Sequence, residues 1–362
     1  MVAPDENILN KSQVSYENGI TVLRVRTGKI KKATRLIRFF NEIRFSETIW
    51  RRGKDFFKEN PCDLIICYSP SIFFAQLVNR LKKLYSCPSY LINRDIFPQW
   101  VVDTGVLHKG LIYKYFKLKE RQNFEAADII GVQSPANLLY FKENGLDKKY
   151  NLEVLYNWTT LTEENIQPGK YREHLGLQNK IVFFYGGNIG VAQDMDNIIR
   201  LAKNMQDETS AYFLIVGDGT EVHRLRAAIV SEGLTNIAIH DAVGQQEYLS
   251  MLSEFDVGLI SLDRGLKTQN FPGKMLGYMY HSLPILASIN PGNDLKEMLE
   301  DNKAGLVCIN GEDDILAAYA RRLLVDKGLR SQFGRKGRSL LENTFSVHKA
   351  AKQILSHFNP RN

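Results

Sequence analysis

Short runs of branched and aromatic apolar residues recur along the whole chain, and longer segments with the spacing of amphipathic helices separate them. Runs this short and this apolar are typical of parallel strands that helices cover on both faces. They lie at 20–25, 63–69, 89–94, 128–133 and 152–157, then at 181–186, 211–217, 236–241, 257–262, 283–288 and 304–309. The alternation predicts the α/β class, with two doubly wound domains of similar size in a chain of 362 residues.

The polar stretch 159–176 separates the two sets of predicted strands, so we place the domain boundary there. The first domain is predicted to cover 1–165 and the second 166–344. An amphipathic helix over 345–358 is assigned to the first domain.

Charge is concentrated in one segment of the first domain. The chain carries 47 Lys and Arg against 40 Asp and Glu, a net charge of +7. Residues 24–58 alone contribute +9, so the rest of the chain sums to −2. A basic segment with this excess predicts contact with an anionic partner.

Apolar residues in the same segment fall near one helical face between 31 and 57. A cationic helix with aromatic anchors is typical of helices that lie on an anionic membrane surface. The alternative is that the apolar stripe is core and the charges solvate its outer side. The residues predicted to face the membrane are Arg35, Arg38, Arg44, Trp50 and Arg51.

Several site types lack support. The four cysteines have no CxxC spacing, and no HExxH, GxSxG or GxxxxGK[ST] motif occurs, which disfavours zinc sites, hydrolases and P-loop kinases. The amino terminus has no signal-peptide pattern, and no apolar run is long enough to span a bilayer. We therefore expect a cytoplasmic protein whose membrane contact is peripheral.

Two strands are predicted to end in glycine-rich turns. The segment IVFFYGGNIG leads into Gly187, Asn188 and Gly190, and LIVGDGTE leads into Gly217. Ligands of open α/β sheets bind at the carboxyl ends of the strands, where glycine lets the backbone approach them closely. The alternative is a tight turn without a ligand, because the spacing is not GxGxxG.

The segment LKTQNFPGKMLGYMYHSLPILAS places Lys274 in the first turn of a predicted helix. A cation at a helix amino end opposes the helix dipole, unless an anion held by the helix N–H groups and the lysine lies there. The alternative is an exposed, solvated lysine.

Carboxylates at two other turns are weaker candidates. Asp95 follows a predicted strand directly, which makes it a candidate for handling an acceptor hydroxyl; the alternative is an Asx turn or an ion pair with Arg94. Asp194 and Asp196 have the DxD spacing of some metal sites, but helix capping is the preferred interpretation.

Taken in order, GGNIG, VGDG, FPGKMLGYM and LPILAS resemble the donor domain of family 4 GT-B glycosyltransferases, in particular bacterial enzymes of O-antigen and capsule assembly. The segments DLIICYSP, RDIFPQ, ADIIGVQS and LYNW resemble the acceptor domain of the same enzymes. The resemblance covers nearly the whole chain, and 266–288 is its most specific part.

The resemblance implies two Rossmann-like domains and, in the cleft between them, retaining sugar transfer from a UDP-sugar without a metal or cofactor. The basic segment adds the hypothesis that the protein docks on the inner membrane face to reach a lipid-linked saccharide acceptor. A UDP-linked amino- or deoxyamino-sugar such as N-acetylfucosamine is the implied donor. Carried over by position, the donor-binding residues are Gly187, Asn188, Gly190, Gly217, Val243, Gly273 and Lys274. Lys274 and Asp95 are the implied catalytic residues, on the diphosphate and the acceptor side respectively.

Two departures from the family pattern stand out. Gln269 and Gly277 occupy the places of two glutamates, the second of which binds ribose in the family. The chain also begins where the family has its second strand, so an acceptor domain without its first βα unit, with reduced stability or activity, is expected.

Two other functions remain open on the sequence. A non-hydrolysing sugar-nucleotide epimerase has the same fold but needs no basic amphipathic face. A nucleic-acid-binding protein would fit a sequence pI near 9.0, although no nucleic-acid-binding motif accompanies the charge, and we expect no such partner.

Overall fold

The computed structural model of the chain describes residues 1–29, 34–69, 71–161, 169–267, 269 and 271–358, apart from the side chains of 35, 36 and 38. Its strands are β1 Val2–Asp5, β2 Ser12–Glu17, β3 Ile20–Arg26, β4 Ile65–Ser69, β5 Ser89–Asn93, β6 Ile129–Val132, β7 Leu152–Val154, β8 Ile181–Gly186, β9 Ala211–Val216, β10 Ile237–His240, β11 Val257–Ser261, β12 Ile285–Ile289 and β13 Gly305–Ile309. Its helices are α1 Arg35–Ile43, α2 Phe45–Glu59, α3 Ala75–Tyr85, α4 Gln99–Asp103, α5 Leu111–Ala126, α6 Pro135–Glu143, α7 Tyr171–His174, α8 Asp196–Asn204, α9 Val222–Ser231, α10 Gln245–Leu252, α11 Lys274–Tyr280, α12 Leu295–Asp301, α13 Asp313–Val325, α14 Lys327–Thr344 and α15 Val347–Ser356.

The described residues of the first half of the chain form two sheets. In the smaller sheet β3 pairs with β1 in parallel and with β2 in antiparallel orientation. The larger sheet has the order β4-β5-β6-β7 and is parallel throughout. Helices α2 and α3 pack together over both sheets, and the core there includes Leu23, Ile49 and Val78.

In the second half, the residues that the structure describes form one parallel sheet of the order β10-β9-β8-β11-β12-β13. Apolar side chains on its two faces build separate cores, one beneath α8, α9 and α13 and the other beneath α10, α11 and α14. Every residue of β11 and β12 is buried, as expected for strands covered on both faces. The strand order reverses between β8 and β11, which opens a crevice at their carboxyl ends.

The last helix, α15, packs on the first half of the chain. Ala350 and Ile354 lie against Tyr90, Ile92 and Leu155 in one buried cluster. The side-chain amide of Gln353 also donates to the carbonyl of Val154 over 2.8 Å. The chain therefore returns to the first sheet after completing the second, while the predicted boundary at 165 falls in 162–168, outside the described residues.

All eleven strands predicted from apolar runs are confirmed, with ends shifted by a few residues. The single helical face predicted over 31–57 is wrong, because α1 ends at Ile43 and α2 begins at Phe45. Phe45, Ile49 and Phe57 of α2 are buried, so the apolar stripe of α2 is core. Among the helices described, none combines the length and the apolar character needed to cross a bilayer.

Candidate active site

A cleft of about 800 Å³ lies at the carboxyl end of the second sheet, a volume within the usual range for small-molecule sites. The turns after β8 and β9, the residues after β10 and the start of α11 all border it. Its lining residues are Gly186, Gly187, Asn188, Val216, Gly217, Asp218, Gly219, Ala242, Val243, Gln245, Tyr248, Gly273 and Lys274.

The two glycine turns are in direct contact with each other. Gly187 has φ of +130°, a conformation that favours glycine, and its N–H donates to the carbonyl of Val216 over 2.9 Å. A Cβ on Gly217 would lie 1.8 Å from the carbonyl oxygen of Gly187, and one on Gly219 would lie 2.1 Å from that of Ile189. Glycine is therefore required where one turn crosses the other, and this crossing forms one wall of the cleft.

Lys274 extends from the start of α11 toward the first glycine turn. Its ammonium lies 3.2 Å from the centroid of the Tyr185 ring, in a cation–π contact, and a Cβ on Gly187 would be 3.6 Å from it. Burial lowers the pKa of Lys274 well below its ordinary value. An anion in the cleft would favour the charged ammonium. Because α11 has only seven residues, Lys274 rather than a helix dipole is the principal positive group here.

Tyrosines hold the first turn from behind. The hydroxyl of Tyr185 donates to the carbonyl of Asn188 over 2.7 Å. The hydroxyl of Tyr278 accepts from the N–H of Gly186 and donates to the carbonyl of Leu259, each over 3.2 Å. Burial raises the pKa of both tyrosines, so both hydroxyls stay protonated as donors at neutral pH. Sequence reasoning missed these groups, because a tyrosine inside an apolar run reads as core.

Six of the seven predicted donor-binding residues line this cleft. They are Gly187, Asn188, Gly217, Val243, Gly273 and Lys274. Gly190 lies outside the lining; its N–H donates to Gln193 Oε1 over 3.1 Å, and Gly190 precedes a short 3₁₀ turn at 191–193. The predicted site is therefore brought together except at this position.

Asp95 lies at the carboxyl end of β5 and is half-buried. Burial raises its pKa, although the charge of Arg94 opposes the shift. The Arg94 guanidinium points to other partners: it donates to the carbonyl of Leu155 over 2.9 Å and lies 4.6 Å from the centroid of the Trp158 ring. The alternative of a simple Arg94–Asp95 ion pair is therefore disfavoured.

The carboxylates with DxD spacing are each engaged with other side chains. Asp194 accepts from the amide of Asn310 over 2.8 Å. Asp196, in the first turn of α8, pairs with Arg224 over 2.8 Å. Both carboxylates are therefore held by side chains outside α8. The capping interpretation is wrong, because the N-cap residue of α8 is Met195 and no side chain caps the helix; only the position of Asp196 in the first turn suits the helix dipole.

Gln269 and Gly277, which stand where the resembling family has two glutamates, are packed into the second domain. The side chain of Gln269 accepts from the amide of Asn290 over 2.8 Å. A Cβ on Gly277 would lie 3.1 Å from Leu252, so a larger residue there would press on α10. Neither position offers a carboxylate to a ribose.

The predicted membrane-facing residues divide between two helices. Arg44 is exposed between α1 and α2, and Arg51 pairs with Glu47 over 2.5 Å. Trp50 is only partly exposed, because its ring stacks on Phe57 at 6.0 Å and the Arg80 guanidinium lies 5.5 Å from its centroid. The side chains of Arg35 and Arg38 lie outside the described residues.

A different set of side chains is strongly exposed nearby. Ile37 and Phe40 of α1, with Leu111 and Ile112 of α5, each expose half or more of their side chain. Phe39 joins the two helices, since its ring centroid lies 5.4 Å from that of Phe116. We call these four exposed residues the apolar ridge.

Residues 169–340 match the family model described as "Glycosyl transferases group 1". The chain is a nucleotide-sugar glycosyltransferase. It is 24% identical over 277 residues to the probable glycosyltransferase WbjE of Pseudomonas aeruginosa, covering 75% of this chain and 68% of WbjE. It is also 24% identical over 275 residues to the putative colanic acid biosynthesis glycosyl transferase WcaI of Escherichia coli K12, covering 73% and 67%. The match favours a transferase over the epimerase and the nucleic-acid-binding protein.

Solved structures establish the fold of this glycosyltransferase as GT-B. Sucrose-phosphate synthase of Thermosynechococcus elongatus superposes with a TM-score of 0.74 at 16% identity, covering 99% of this chain and 87% of that one. HepE of Anabaena in complex with UDP-glucose superposes with a TM-score of 0.65 at 16% identity, covering 82% and 78%. The predicted arrangement of two Rossmann-like domains is confirmed.

Proposed function

We propose that this glycosyltransferase transfers a sugar from a UDP-sugar to a lipid-linked saccharide during assembly of a bacterial surface polysaccharide. The observation that carries the proposal is the cleft in which Lys274 faces the two crossed glycine turns. The relative WcaI is named for colanic acid biosynthesis, which supports a polysaccharide as the product. The HepE structure is a complex with UDP-glucose, which supports a UDP-sugar as the donor. The donor sugar is proposed to be an amino- or deoxyamino-hexose such as N-acetylfucosamine.

Lys274 is proposed to contact the donor diphosphate. Negative charge on the diphosphate grows as the glycosidic bond breaks, so a fixed ammonium stabilises the transition state more than the bound donor. The glycine turns contribute backbone that a phosphate or sugar can approach without a side chain in between. Lys274 supplies positive charge where the diphosphate is proposed to lie, and we propose that transfer needs no metal.

Asp95 is proposed to interact with the acceptor hydroxyl. Its raised pKa suits a carboxyl that exchanges a proton with a hydroxyl. It follows β5, and the neighbouring strand β6 leads into Gln133, which contacts Phe271 of the second domain over 3.0 Å. This bond brings the carboxyl end of β6 to the loop that precedes α11, and we propose that Asp95 and Lys274 face each other between the two domains. We propose that the anomeric configuration of the sugar is retained.

Titration calorimetry with UDP tests the donor site. We expect Lys274→Met to weaken UDP binding by about 2 kcal/mol or more, since it removes a charge-assisted contact. Lys267→Met is the matched control, because Lys267 is exposed on the loop before α11 and should leave binding unchanged. Equal binding by wild type and Lys274→Met would contradict the proposed role. Metal independence is tested by measuring transfer in the presence of EDTA. Retention is tested by NMR of the anomeric proton of the product.

We further propose that the apolar ridge contacts the anionic inner membrane surface. Four apolar side chains stand exposed there. Among the exposed cations, Arg44 follows α1, and Lys109 and Lys114 lie next to Leu111 and Ile112 in the sequence. A peripheral protein is held on acidic lipids by burial of its apolar side chains and by the attraction of its basic side chains to the lipid charge. This surface replaces the one first predicted around Trp50.

Flotation with phosphatidylglycerol-containing vesicles tests the ridge. We expect the double variant Leu111→Ser, Ile112→Ser to bind about tenfold more weakly or worse, since each buried aliphatic side chain contributes more than 1 kcal/mol. Val230→Ser, an equally exposed position on α9 in the second domain, is the control. Wild-type protein that does not float with these vesicles would rule out the membrane contact.

A further inference from the structure

Buried amides of the first domain hold the loop that precedes Lys274. Gln133 Nε2 donates to the carbonyl of Phe271 over 3.0 Å, and Asn137 Nδ2 donates to the carbonyl of Gln269 over 2.8 Å. Both side chains are about 4% exposed. They lie at the end of β6 and in the first turn of α6, so both bonds cross from one domain to the other.

The loop that receives these bonds is fixed on its other side as well. The Phe271 ring is buried and stacks on Tyr156 at 6.0 Å, and the Gln269 side chain is bound to Asn290. A further bond across the domains joins the N–H of Ala136 to Asp294 Oδ2 over 2.7 Å. Three residues after Phe271 the chain reaches Lys274, and the first turn of α11 closes through Met275 N to the carbonyl of Pro272.

We propose that Gln133 and Asn137 are positioning residues for Lys274. They fix the carbonyls of Gln269 and Phe271 and thereby set where α11 begins and where the Lys274 ammonium lies relative to the glycine turns. The proposal rests on the proposed function, because it assigns Lys274 to the donor diphosphate. It adds that donor affinity depends on side chains of the acceptor domain, so that docking of the domains and donor binding are coupled.

Isosteric variants test the proposal without opening a cavity. Gln133→Glu and Asn137→Asp keep the side-chain shape but replace the N–H donor with an oxygen that repels the loop carbonyl. Asn144→Asp is the matched control, because Asn144 is exposed at the end of the same helix and donates to Tyr140 within it. Asn137→Gln, which keeps the amide, serves as the conservative variant.

Hydrogen exchange measured by mass spectrometry is the first readout and needs no ligand. We expect peptides covering 271–280 to exchange about tenfold faster in Gln133→Glu and Asn137→Asp, with Asn144→Asp like wild type and Asn137→Gln closer to wild type than Asn137→Asp. Calorimetry with UDP is the second readout, with a dissociation constant about tenfold higher, the size expected for loss of one bond to a buried carbonyl.

Unchanged exchange over 271–280 in both isosteric variants would overturn the positioning role. Faster exchange throughout the second domain would overturn it too, because the amides would then support folding in general. If exchange rises locally but UDP binds the variants as tightly as wild type, the coupling to the donor is wrong. If wild type itself does not bind UDP, the proposed donor fails, and the exchange data alone decide whether the two amides position α11.

Discussion

At the scale of single residues, Tyr185 connects both halves of the donor site. Its ring lies beneath the Lys274 ammonium, and its hydroxyl holds the carbonyl of Asn188 in the glycine turn. A cation–π contact contributes about 0.5–2 kcal/mol, and a neutral hydrogen bond about 1 kcal/mol. The two contacts are separable, because phenylalanine keeps the ring and loses only the hydroxyl.

We expect Tyr185→Phe to bind UDP a few-fold more weakly than wild type, through a looser turn, and Tyr185→Leu to bind more weakly again, through loss of the ring beneath Lys274. Calorimetry gives the affinities, and urea denaturation shows that each variant is folded at the assay temperature. Equal affinities for the Phe and Leu variants would show that the ring does not place the lysine.

At the scale of elements, His281 ends α11 next to α14. Burial, and then the nearby Arg338 charge, lowers the pKa of His281 to about 4, and its Nε2 is buried without a partner among the described residues. An unfolded chain has the ordinary value near 6.5. Between these values the unfolded state binds more protons, so the free energy of unfolding falls as the pH drops from 6.5 to 4.

His281→Gln should remove this part of the pH dependence. We expect the free energy of unfolding of the variant to decline less than that of wild type between pH 6.5 and 4, measured by urea denaturation at several pH values. The exposed His348, replaced in the same way, is the control and should leave the wild-type slope. A His281→Gln slope equal to that of wild type would contradict the lowered pKa.

Elements differ in how far the sequence predicts them. The strands of the two parallel sheets are recognisable because burial on both faces requires unbroken apolar runs, as in β8 and β12. Strand β2, SQVSYE, is polar because it pairs on one side only, at an edge, and no apolar run marks it. The break at Arg44 has no Pro or Gly to announce it, so α1 and α2 read as one helix.

The residues of the candidate site also differ in how far the sequence predicts them. The sequence predicts Gly187, Gly217 and Lys274 as cleft residues. Each stands out from its sequence neighbours, because the glycines end predicted strands and the lysine begins a predicted helix. The sequence does not predict a role for Gln133 and Asn137, because each is a single polar residue beside an apolar run. Their partners lie more than 130 positions away, and only the tertiary structure brings them together.

At the scale of the whole molecule, α15 determines how the end of the chain is held. It follows the second domain but buries Ala350 and Ile354 in the first, with Gln353 bonded to the carbonyl of Val154 and His357 paired with Glu153 over 2.8 Å. An isolated Thr159–Ser346 bridge lies just before it. The chain therefore crosses back from the second domain to the first at this helix.

Ile354→Ala should destabilise the first domain by about 2–4 kcal/mol, the usual cost of truncating a buried aliphatic side chain. Leu355→Ala, on the same helix but 60% exposed, should change stability by less than about 0.5 kcal/mol. Urea denaturation followed by hydrogen exchange of peptides from β5 and β7 locates the loss. Since the donor cleft is built from the second domain and α15 does not line it, UDP affinity of Ile354→Ala should match wild type. A stability loss equal for both variants, or spread evenly over both domains, would mean that α15 is not anchored in the first domain through Ile354.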